Sequence, residues 1–265
     1  MFKKNHFIFP YFGNKRTEVQ HIDFIHDKDK MENITTIIEP YAGSSAFSYY
    51  VSLLYPNKYK YVLNDNDENL IKLYKIMKDE KLINEFDKLI NDIINKFNSY
   101  DNDKDRKQFY LSIDDDYGKW FFYHKYYNIR YGLYPNISKI NKIKKFSLKD
   151  CDIYNFIKNE DVELLNDDAI NIYEKYNNSN KNVIFLDPPY LNSCNLYYYY
   201  NDAKVNIFEY LYNNNIKNYN SKIILILENI WIIKLLFNEN YDKKEYDKKY
   251  NSKNSKLTKH IIISN

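Results

Sequence analysis

The chain has 265 residues, 44% of them hydrophobic and 28% charged; it is long enough for one large domain or one domain with an insertion, and too apolar for global disorder. Its 39 basic and 36 acidic residues leave a net charge of +3, which permits local nucleic-acid contact without demanding it. No apolar run reaches the roughly 18 residues of a membrane span, the apolar start is too short for a secretory signal, and Cys151 and Cys194 give neither a disulfide framework nor zinc spacing; an intracellular, reduced protein off the membrane is expected.

The 30 tyrosines accompany abundant Asn, Lys, Ile and Phe, as biased codon use would produce, so most are read as filler. The rare residues carry more information. Only four glycines and six prolines occur, and they gather in a few stretches where backbone geometry requires them.

The first such stretch is Phe9-Pro10-Tyr11-Phe12-Gly13-Asn14-Lys15-Arg16, a turn with a cationic end. Val19, Ile22 and Ile25 then suggest a helix up to about Lys28. Residues 35–47 read as a strand ending in Glu39-Pro40, a small-residue turn Tyr41-Ala42-Gly43-Ser44-Ser45, and a helix from Ala46 to about Leu54. Small residues there let backbone approach a ligand, as in nucleotide-binding loops. Three spaced glycines of a dinucleotide site are absent, and no Gly-Lys-Ser/Thr phosphate loop follows.

A second strand, 59–63, ends in Asn64-Asp65-Asn66-Asp67. An acid at that strand end commonly takes ribose hydroxyls, and Asp65 is best positioned for it. A helix runs from Glu68 to about Lys78. From 79 to 145 the pattern turns helical, with Leu82, Phe86, Leu89, Ile90 and Ile93 in register, then a polar stretch over 98–105. Aromatics mixed with bases over 120–135, and Lys139, Lys142, Lys144 and Lys145, fit either nucleic-acid contact or a helical core with a solvated face.

The α/β pattern resumes at 161–168, a short strand ending in Asp167-Asp168, before a helix over 169–176. Residues 183–186 form an apolar run of buried-strand type that stops at Asp187-Pro188-Pro189-Tyr190. The prolines cannot continue a strand, so Asp187 is expected at its carboxyl end, where open α/β sheets hold their ligands. A carboxylate, proline carbonyls without competing N–H groups and a flat ring suit a planar base bearing an exocyclic amine. A loop over 191–202, a helix over 203–213, a strand over 221–227 and a helix over 230–237 follow. The lysine-rich 241–256 reads as solvated surface, and 258–264 as a last strand.

In this order the motifs resemble the Dam-like DNA adenine-N6 methyltransferases. Tyr11-Phe12-Gly13-Asn14-Lys15 is similar to the family's aromatic-x-Gly-Gly-Lys motif. Ile38-Glu39-Pro40-Tyr41-Ala42-Gly43-Ser44-Ser45-Ala46 resembles its Glu-Pro-Phe-x-Gly-x-Gly loop, with Ser45 at the second glycine. Leu63-Asn64-Asp65 and Asp187-Pro188-Pro189-Tyr190 match its remaining motifs. The resemblance implies a Rossmann-like α/β methyltransferase sheet, with residues 1–78 and 146–265 as the catalytic domain and 79–145 as an inserted, mainly helical target-recognition region.

It also implies S-adenosylmethionine as methyl donor, double-stranded DNA as partner, and an adenine flipped from the duplex. Tyr11, Gly13, Lys15, Glu39, Pro40, Ala42, Gly43, Asp65, Asp168 and Asp187 would line the cofactor site. Asp187, Pro188, Pro189 and Tyr190 would form the catalytic motif, with no metal. Two further readings stay open from sequence: the same chemistry on RNA, and a degenerate methyltransferase fold that binds nucleic acid.

Overall fold

A computed structural model of the chain describes residues 8, 9, 15, 17–126, 142–190, 210, 211, 213, 214, 219–237, 241–249 and 257–265. The chain divides into two compact units, Met1–Asn14 with Asp67–Val162, and Lys15–Asn66 with Glu163–Asn265. Residues 79–145 fall within the first; of these, 127–141, with much of the aromatic and basic stretch 120–135 and Lys139, lie outside the described residues. The loop over 191–202 and most of the helix over 203–213 lie outside the described residues.

A seven-stranded sheet orders the second unit as β3-β2-β1-β4-β5-β7-β6. Its strands are β1 (Thr36–Glu39), β2 (Lys60–Asn64), β3 (Val162–Leu165), β4 (Asn182–Leu186), β5 (Lys222–Glu228), β6 (Asp242–Lys249) and β7 (Leu257–Ser264). β1 pairs parallel with β2 and β4, and β4 with β5, whereas β7 runs antiparallel to β5 and β6. The order reverses between β1 and β4, so a crevice opens beyond their carboxyl ends.

Every residue of β4 is buried, because side chains alternate between two covered faces. On one face Ile184 and Leu186 join Leu225, Leu227, Ile261 and Ile263. Covering that face are α7 (Ala169–Tyr176), through Ile172 and Tyr173, and α8 (Trp231–Leu236), through Ile233. On the other, Phe185 stacks on Phe47 of α1 (Ala46–Leu54), ring centres 4.1 Å apart. The sheet is therefore a mixed α/β layer of Rossmann type.

The first unit is helical: α2 (Glu68–Ile76), α3 (Glu80–Asn98), α4 (Asp103–Leu111), α5 (Asp116–Tyr126) and α6 (Tyr154–Lys158). Asp67, Asp79 and Asn102 cap the first three, their side chains accepting from backbone N–H groups one turn on. Asn102 thus begins a helix inside the stretch read as merely polar. α5 packs on α3 through Phe86–Phe121 and Phe97–Phe122 pairs, and through Gly118, where an added Cβ would lie 2.8 Å from Ile93 Cδ1. Asn91 and Asn98 each donate to and accept from one backbone unit of the returning chain, at Phe146 and Ile143. Seven residues of helix rise about 10.5 Å, close to the roughly 10 Å of three extended residues, so the two amides act as rungs of a ladder. Lys142, Lys144 and Lys145 on this segment are exposed.

Two expectations need correction. The helix expected after Lys15 is a pair of 3-10 turns, Val19–His21 and Asp23–His26, broken at extended Ile22. Val19, Ile22 and Ile25 are all buried at a spacing of three, the period of a 3-10 helix at about 3.0 residues per turn. The tail expected as solvated surface is also a strand: β6 over Asp242–Lys249 pairs with β7 along its length and keeps Asp242, Lys243, Glu245 and Asp247 exposed. Among the described residues no helix is long and apolar enough to cross a membrane.

Three strand ends meet at one buried amide. Asn64 Nδ2 donates to Pro40 O and Asp167 O, both at 3.0 Å, and its Oδ1 accepts from Asp167 N at 2.9 Å. Replacing it strips the buried Pro40 carbonyl of this partner, at about 1–3 kcal/mol, and removes two part-buried bonds to the Asp167 backbone. Asn64→Ala is expected to lower unfolding free energy in urea by about 2–3 kcal/mol, and a loss under about 0.5 kcal/mol would contradict the role given to this amide.

Candidate active site

The site is built where β1 and β4 end. Glu39 closes β1 and is buried, and its Oε2 accepts from Ser48 N at 3.3 Å across the turn. Burial pushes its carboxyl up to about 8, and the nearby Asp187 charge pushes the same way. The loop that follows is tied to β2. Ala42 N donates to Asn64 O at 2.7 Å, and Gly43 N to Asp65 Oδ2 at 2.8 Å.

Gly43 has φ +46° and faces open space where a Cβ would stand. Ser45 also lies in the left-handed region, φ 52°, before α1 starts, and its buried Oγ finds no partner among the described residues. The backbone here has glycine's shape, and the serine holds it at a cost of order 1–3 kcal/mol. That explains why a family loop would carry glycine at this step.

Asp187 follows the last residue of β4. Pro188 is buried and Pro189 half-buried, so the strand stops and the carboxylate projects from its end. Lys15 Nζ lies 2.6 Å from Asp187 Oδ2, with side chains 5% and 20% exposed. It also stands 5.2 Å from the centre of the Tyr190 ring. Burial raises the Asp187 carboxyl above its usual range, and the Lys15 ammonium opposes that. Tyr190 packs edge-on against His260, with Oη and Nδ1 3.4 Å apart. Burial, with Lys248 and Lys15 nearby, pushes His260 down to about 4, so its ring is neutral.

The structure thus gathers Lys15, Glu39, Asp187 and Tyr190 into one cluster and links Asp65 to Gly43 beside it. Asp168 is engaged elsewhere, since its Oδ1 accepts from Ile170 N at 2.7 Å and caps α7. Tyr11 and Gly13 lie outside the described residues. Sequence reasoning missed Asn64, Glu18, Lys248 and His260. The signal for His260 is slight, one imidazole entering the apolar run Ile261-Ile262-Ile263.

A carboxylate at a strand end, paired to Lys15 beside an aromatic ring, suits the positioning of an amine for group transfer. A family model described as D12 class N6 adenine-specific DNA methyltransferase matches residues 11–261. The chain belongs to that family. It is therefore a methyltransferase, and adenine N6 in DNA is its target. No curated protein matches the chain.

The raised carboxyl of Glu39 makes this methyltransferase sensitive to pH. Between the ordinary value of 4.5 and about 8 the folded state holds a proton that the unfolded state has lost. Stability from this group is complete below 4.5 and is lost as pH rises through about 8. In urea unfolding across that window, Glu39→Gln should remove part of the decline seen in the parent; identical slopes in parent and variant would contradict the assignment.

Proposed function

We propose that this enzyme transfers the methyl group of S-adenosylmethionine to N6 of an adenine flipped out of double-stranded DNA, with Asp187-Pro188-Pro189-Tyr190 as the catalytic motif. The observation that carries the reading is the Asp187 carboxylate at the end of β4, ion-paired to Lys15 and beside Tyr190. The reading carries with it an intracellular location, wherever the target DNA lies.

The residues fit the cofactor. Gly43 leaves open space at the turn, Asp65 beside it is an acceptor for hydroxyl hydrogens, and the Glu39 carboxyl, protonated up to about 8 in the free chain, would ionise against the cofactor's ammonium. Glu39 and Gly43 would hold the methionine end, with Pro40 and Ala42 shaping the loop, and Asp65 would take the ribose hydroxyls. Asp168 would contact the adenine ring, a role it would share with capping α7. Tyr11, Gly13 and Lys15 would complete the lining. Bound S-adenosylmethionine supplies an electrophilic methyl group.

The chain's own residues act on the target amine. An adenine amine is flat, and its lone pair is spread into the ring. Asp187 and the Pro188 carbonyl each accept one N6 hydrogen. As N6 turns tetrahedral those hydrogens gain charge, and both acceptors hold them more strongly than in the flat amine. Asp187 need not be a strong base, since the N6 proton becomes acidic once the methyl arrives. Tyr190 offers a face for the flipped base, and Pro189 stiffens the turn between them. The helical region 79–145 is the proposed target-recognition region, where exposed Lys142, Lys144 and Lys145 at its edge suit DNA phosphates.

The test compares Asp187→Ala with the parent. In calorimetric titration S-adenosylmethionine should bind both, with Kd changed less than about tenfold, while kcat for transfer to duplex DNA falls about 10²–10³-fold. Undiminished transfer by the variant would end the catalytic assignment.

A further inference from the structure

Strand β6 is almost wholly polar, yet one of its faces is engaged. Side chains two apart share a face of a strand, and Lys244, Tyr246 and Lys248 are such a set. Each meets the turn segment that follows Lys15. Lys244 Nζ lies 2.6 Å from Asp23 Oδ1, and Tyr246 stacks on His21 with ring centres 5.0 Å apart. Lys248 Nζ donates to Glu18 Oε1, a pair with side chains 11% and 1% exposed.

Glu18 and Lys15 belong to one turn. Glu18 N and Val19 N both donate to Lys15 O at 3.0 Å, and Thr17 Oγ1 donates to Glu18 Oε2 at 2.8 Å. The partner strand β7 completes the brace from the other side. Its buried His260 meets Tyr246, with ring centres 5.7 Å apart, and backs Tyr190 edge-on at 5.3 Å.

We infer that Lys248, with Glu18, and His260 are positioning residues for methyl transfer: the β6–β7 pair holds Lys15 against Asp187 and beside the Tyr190 ring. This rests on the proposed catalytic role of Asp187 and extends it to residues that touch neither base nor cofactor. The Lys248–Glu18 pair fixes the turn, and the turn fixes where the Lys15 ammonium reaches Asp187. His260 fixes the plane of Tyr190. Displacement of reacting groups by about 1 Å can cost about 10²-fold in rate, which sets the scale of the effect.

Charge exchange tests it. In Glu18→Lys and Lys248→Glu, kcat on duplex DNA should drop about 10–100-fold, a larger factor than any rise in the S-adenosylmethionine Kd. The double exchange Glu18→Lys/Lys248→Glu restores the pair and should recover most of kcat. Lys248→Met keeps the apolar stem and carries the same prediction where the reversed charge does not fold, as thermal melting would reveal. His260→Leu should raise KM for DNA more than it changes cofactor binding. Folded single variants with parental kcat, or a double variant no better than the singles, overturn the bracing while Asp187→Ala stays inactive. A fully active Asp187→Ala instead overturns the catalytic reading itself, and the bracing with it.

Discussion

The Lys15–Asp187 ion pair is the interaction on which the rest of the site depends. Both side chains are largely withdrawn from water, and they meet at 2.6 Å. An isolated carboxylate there would neutralise, since burial alone drives its carboxyl upward. The Lys15 ammonium opposes that rise and favours the charged form that accepts hydrogen bonds. Such a pair is costly to form and more costly to half-remove, about 3–5 kcal/mol for a fully buried one, so it needs a rigid frame.

The frame comes from three directions. β4 ends at Asp187 because two prolines forbid further pairing, and the sheet order reverses between β4 and β1 at this same level. Glu39, at the end of β1, is near enough to feel the Asp187 charge, while Asn64 pins the ends of β1, β2 and β3 together. The third direction is the β6–β7 pair, whose polar face reaches back to the turn carrying Lys15. The strained Ser45 lies in this frame as well, where the loop keeps a left-handed backbone without glycine. In the helical unit, the ladder of Asn91 and Asn98 plays a similar part for the returning segment 143–146.

Much of this is legible in the sequence, for physical reasons. The central strands are continuous apolar runs, and their ends carry acids, glycine or proline, so β1, β2 and β4 and the residues Glu39, Asp65 and Asp187 can be read directly. The parts that escape have a common cause. β6 is built from Asp, Lys, Glu and Tyr, and its strand character comes from pairing with β7 and from ion pairs to residues more than 200 positions away. No local pattern encodes such contacts. The turns after Lys15 resemble a helix in sequence because three buried residues at a spacing of three satisfy both periods over so short a span. Asn64 reads only as one residue of the strand-end motif Leu63-Asn64-Asp65, and its three hydrogen bonds reveal it as the buried tie between strand ends.

The most direct measurement of the central claim is the identity of the modified base. Incubation of the full chain with methyl-labelled S-adenosylmethionine and duplex DNA, followed by digestion to nucleosides and mass analysis, should return the label in N6-methyladenine alone. Label in a methylated cytosine, or cofactor binding without label in any base, would contradict an Asp187 site built for the adenine amine.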